Sequence, residues 1–134
     1  MKNNKAAKKG NYPRFLYVSN MLAAPGREFV VFTGHPSWIA EVFPFDTVED
    51  AIIFEGEFML LQDEKGITPV GARTTWHNKH YVLAVLNIFT PLPQATGEAL
   101  QKSADNLART ARRMADWYRY NILKSKEDLN EHPQ

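Results

Sequence analysis

From Leu100 onward, apolar side chains recur at spacings of three and four: Leu100, Ala104, Leu107, Ala111, Met114, Tyr118 and Ile122. An α-helix brings such positions onto one side, so the stripe predicts a single amphipathic helix of roughly six turns. Thr96 suits the N-cap, and Glu98 falls where the positive end of the helix dipole favours an acid. Lys102, Asp105, Arg109, Arg112, Arg113 and Asp116 cover the opposite, solvated side. At about 1.5 Å per residue the helix would run roughly 40 Å, more than the width of a domain of this size. It therefore either overhangs its own sheet or packs on another subunit. The small side chains of Ala104, Ala108, Ala111 and Ala115 would let a sheet or a second helix approach closely. A homodimer through the C-terminal helix is the expectation.

The segments ahead of the helix are rich in aromatic and β-branched residues and are punctuated by Gly, Pro, Asn and Asp. Strands are predicted at 15–18, 28–33, 38–43, 52–62, 67–77 and 80–89. In 52–62, alternation would put Phe54, Gly56, Phe58 and Leu60 on one face, with Glu55 and Glu57 turned to water. Thr47 is placed to cap one or two helical turns before it. Residues 63–66 are read as a hairpin loop, and Asn78-Lys79 as a tight turn. The fold class is α+β: an antiparallel sheet of about six strands, open or closed as a small barrel, followed by one long C-terminal amphipathic helix. Strands first and helix last, joined by short loops, disfavour a parallel sheet. Residues 13–127 form the single domain, 1–12 a disordered basic arm, and 128–134 a frayed polar tail.

Charge is segregated along the chain. Residues 1–14 carry five basic side chains and no acid, whereas 15–97 carry four basic and nine acidic ones. A basic tail beside an acidic body suits docking on that body or a neighbour's as well as it suits nucleic acid. There are no cysteines, which excludes disulfides, thiolate metal sites and cysteine nucleophiles. The leading lysines are not followed by an apolar core of a signal peptide, and no apolar run is long enough to span a bilayer. A cytoplasmic location without membrane contact is expected.

Three kinds of site are weighed. Lys5, Lys8, Lys9 and Arg14, close to Tyr12, Phe15 and Tyr17, together with Arg109, Arg112, Arg113 and Arg119, offer cations and rings for a single nucleic-acid strand. Against it, Asp105 and Asp116 stand one turn from Arg109 and Arg112, as on any solvated helix face. Phe43, Phe54, Phe58, Trp76, Tyr81 and Phe89 could line an apolar ligand pocket between sheet and helix, although such rings more often build a core. His77 and His80 would face each other across the tight turn, but two ligands fall short of a metal site unless Glu55 or Glu57 joins them. No metal or cofactor is therefore assigned. For acid–base work Glu55, Glu57 and His35 are available, yet no nucleophile elbow, phosphate loop or zinc-protease motif accompanies them. The expected function is a non-enzymatic, self-associating binding module, with nucleic acid and a small apolar ligand as the alternative partners.

Overall fold

The computed structural model describes residues 13–19, 22–64, 71–89 and 97–131. Among these, strands β1 (Phe15–Ser19), β2 (Glu28–Phe32), β3 (Trp38–Phe45), β4 (Gly71–Trp76) and β5 (Lys79–Ile88) form one antiparallel sheet in the order β1-β2-β3-β5-β4. The sheet has five strands rather than six, and it is open, with β1 and β4 at its edges. Strand β3 is central, and on β5 beside it Val82, Leu83, Ala84 and Val85 are all buried. Consecutive buried residues mean that both faces of the strand are covered there. The basic arm at 1–12 and the last three residues of the polar tail lie outside the described residues.

The largest departure from expectation is at 52–62. This segment is not a strand but the body of helix α1 (Val48–Glu64), 17 residues long. The capped turn at Thr47 was the right start for an element expected to be far too short: the Asp50 amide donates to Thr47 Oγ1 at 3.1 Å, and the helix simply continues. Ala51, Phe54 and Phe58 sit at helical spacing and share one cluster with Phe43, Phe45, Val82 and Ala84 of the sheet. The apparent alternation was a coincidence of glutamates at 55 and 57. The predicted hairpin at 63–66 is overturned with it, since 63 and 64 are still helical. Replacing Thr47 with Ala should cost about 1 kcal/mol, the usual worth of a hydroxyl cap, measured as a shift in the urea midpoint.

The β4–β5 turn is also displaced by one residue. His77 and Asn78 both have positive φ (49° and 65°), the pair that a two-residue hairpin of matching twist requires. Trp76 therefore pairs with Lys79, and Thr75 with His80. His77 is in the turn itself and does not face His80.

The C-terminal stripe is helical throughout: α2 (Gly97–Trp117), a π-helical turn (Tyr118–Leu123) and α3 (Lys124–Glu131) follow one another without a break. Leu107, Ala111, Met114, Ala115, Tyr118 and Leu123 are buried in the main core. They meet Phe15, Val30, Phe32, Trp38, Ala40, Val42, Leu83 and Val85 from one face of the sheet. The indole of Trp38 donates to Met114 Sδ at 3.4 Å. The stripe thus covers its own sheet, while Ala104 and Ala108 are exposed. That covering removes the reason for placing a subunit contact along the middle of the helix.

Candidate functional site

Two features stand out once the layers are built. The first is a polar cluster where the π-helical turn crosses β1 and β2. Glu28 Oε1 accepts hydrogen bonds from Tyr17 at 2.7 Å and Tyr118 at 3.0 Å, and an ion pair with Lys126 reaches the same oxygen. Lys126 also lies over the Tyr17 ring, 5.8 Å from its centroid. A π turn is an uncommon local widening that often marks a functional position. Here it starts on Tyr118, the residue that reaches Glu28.

The electrostatics decide what this cluster does. Burial alone would raise the Glu28 carboxyl, but Lys126, Tyr17 and Tyr118 outweigh it and hold the group below its ordinary range. Burial pushes the Tyr118 phenol up, and the Glu28 charge pushes it further; Tyr17 is raised by burial first, then by its hydrogen bond to Glu28 and the charge there. An acid that is harder to protonate and phenols that are harder to ionise all move away from neutrality. General acid–base work needs the opposite shifts. The arrangement clamps the end of the C-terminal helix to β1 and β2.

The residues singled out in the sequence are dispersed by the fold. Phe54 and Phe58 of α1 share a cluster with Phe43 of β3, whereas Trp76 and Tyr81 pack against the main core on the other face, and Phe89 is exposed. The six rings therefore do not line one space. His77 Nε2 lies 2.6 Å from Glu127 Oε2, and His80 Nδ1 lies 3.2 Å from Thr75 Oγ1. Glu55 pairs with Arg73 at 2.9 Å, and Glu57 and His35 are exposed. Among the described residues no three metal-ligating side chains converge. Arg14 and Arg113 are exposed; Arg109 donates to Asn106, and Arg112 to the Arg73 carbonyl and Asp116. Arg119 stacks over Trp76 and Tyr120, at 5.6 and 5.2 Å from their centroids. Lys5, Lys8 and Lys9 lie outside the described residues.

The second feature was not anticipated at all. Helix α1 has apolar side chains at nearly every phase, between its acids, and the outward apolar ones have nothing over them among the described residues. Ile53 is 59% exposed, Leu60 63% and Leu61 56%, with Ile52 and Met59 also open. Phe54 reaches Phe43 and Phe45 on β3, while its neighbour Glu55 reaches Arg73 on β4, so the helix lies along β5 between them. At 100° per residue, Ile53, Leu60 and Leu61 fall on the outer side and the flank away from Glu55, next to the half of the sheet that α1 leaves uncovered. That half carries its own apolar patch. Leu16 pairs with Val31 and Val31 with Ile39, and beside them Val18 pairs with Phe29. Leu16 and Val18 are about two-fifths exposed, at 41% and 40%. Exposed apolar side chains thus lie both on α1 and on the half of the sheet beside it.

Comparison with protein-family models, with curated proteins and with solved structures finds no match to this chain.

Proposed function

We propose that the protein is a non-enzymatic interaction module whose working surface is the outer side of α1 together with the uncovered face of β1 and β2. The observation that carries this reading is the exposure of five large aliphatic side chains, Ile52, Ile53, Met59, Leu60 and Leu61, on one 17-residue helix. Water-facing helices normally have a polar back; this one has apolar side chains at nearly every phase, as a helix covered on two sides would. The clamp around Glu28 supports a structural role for the cluster that most resembles a reactive centre. The stripe of the long helix already has its partner in the sheet, so the surface offered for a contact is that of α1. No helix among the described residues is long and apolar enough to cross a membrane.

The reading is tested by replacing Ile53, Leu60 and Leu61 together with Gln, a good helix former that removes the apolar surface. Binding of the hydrophobic dye bis-ANS to the native protein should fall several-fold, with unfolding free energy within about 1 kcal/mol of the parent. A loss of several kcal/mol would show that these side chains belong to the core, and the reading would be wrong.

A further inference from the structure

We infer that the occupant of the α1 surface is a basic amphipathic polypeptide segment; this rests on the reading of that surface as a contact site. The argument is one of charge. Residues 28–64 contain nine acidic side chains and no Lys or Arg. Six of those acids belong to α1, and Glu49, Asp50 and Glu57 are exposed beside the open aliphatic side chains. Among the described residues, the cations near this face are engaged within the chain: Arg27 binds Glu41 through two hydrogen bonds, Arg73 binds Glu55, and Lys79 binds Asp46. What remains is an apolar strip rimmed by unbalanced negative charge.

Such a strip discriminates among occupants. A second copy meeting it about a two-fold axis would set α1 against α1, with like charges facing like. An anionic lipid surface or a nucleic-acid backbone meets the same repulsion. A segment with aliphatic side chains on one side and Lys or Arg along its borders buries its apolar face and answers the acids. The chain's own leading residues, with five cations but few aliphatic side chains, satisfy only half of that description.

The full-length protein is titrated with a labelled amphipathic peptide of leucine and lysine, and with its leucine and glutamate counterpart of the same pattern, by fluorescence anisotropy. The lysine peptide should bind, and should weaken roughly tenfold from low to high salt as screening removes the charge contribution. The Ile53→Gln/Leu60→Gln/Leu61→Gln variant should lose about tenfold or more in affinity. The Glu49→Gln/Asp50→Asn/Glu57→Gln variant should lose about fivefold. Neutralising Asp105 and Asp116 on α2 should change nothing. Equal binding of the glutamate peptide overturns the charge inference while leaving the contact surface intact. So does self-association that the Gln variant abolishes, with no binding of the lysine peptide. Equal loss on neutralising the α2 acids overturns it too, because the attraction would then be unspecific.

Discussion

Met114→Asp is expected to unfold the protein. Met114 is fully buried, beneath the Trp38 indole and within the stripe that closes the main core. Removing a methionine from such a site costs about 2–5 kcal/mol, and the buried, unpaired carboxylate adds several more. Domains of this size are stable by only about 5–15 kcal/mol, so the sum removes most or all of the margin. Far-UV circular dichroism should show no cooperative thermal transition. Leu107→Asp, at a site 6% exposed, should behave alike. A folded, soluble monomer from a dimeric parent would be the contrary result, and would return the stripe to a subunit interface.

Glu28→Ala should destabilise the fold by about 3–5 kcal/mol, because it leaves two part-buried phenols and an ammonium without their shared acceptor. Glu28→Gln keeps an acceptor but not the charge, and should cost less. The pH dependence follows from the shifts already described. The folded-state pKa of Glu28 is depressed, so its contribution is complete above the ordinary carboxylate range and disappears as pH falls through the folded value. Tyr17 and Tyr118 are raised, so theirs is complete below the ordinary phenol value, about 10, and is lost as pH rises beyond it. Urea midpoints measured across pH should decline at both ends for the parent. In Glu28→Gln the acid-side decline should be shallower. An unchanged acid limb would show that the carboxylate contributes nothing to the clamp.

The long helix was legible in sequence because its stripe keeps one phase for many turns, and a period sampled that often is hard to mistake. Helix α1 was not, for the opposite reason. Ile52, Ile53, Phe54, Phe58, Met59, Leu60 and Leu61 occupy almost every direction around the axis, so no helical period emerges. Two glutamates at alternate positions then imitated a strand. The correct evidence was present at Thr47, but a cap gives a beginning and not a length. The β4–β5 hairpin is legible but lies one residue earlier than Asn78-Lys79 suggests, since His77 as well as Asn78 adopts the positive φ that few non-glycine residues take.

The sites were less legible still. Tyr17, Glu28, Tyr118 and Lys126 converge on one oxygen from four separate elements, and no spacing rule connects them. For the α1 surface, hydrophobicity marks side chains that prefer burial, but not whether the same chain supplies the cover. That distinction is a matter of tertiary arrangement. The absence of Lys and Arg from 48–64 was visible from the start, and became informative only when those residues formed one helix with exposed acids beside its open aliphatic side chains.

The strand order has a kinetic consequence. β1, β2 and β3 form a meander and β4 and β5 a hairpin, each made of contacts close in sequence. The seam between β3 and β5 joins them across everything contributed by α1 and β4. Loop closure of that length comes before its reward, so docking of the hairpin against the meander should limit the folding rate. Until it happens, the side of α1 destined for the sheet is as bare as the outer side. During folding the helix is therefore adhesive all round, and only afterwards on its outer side alone.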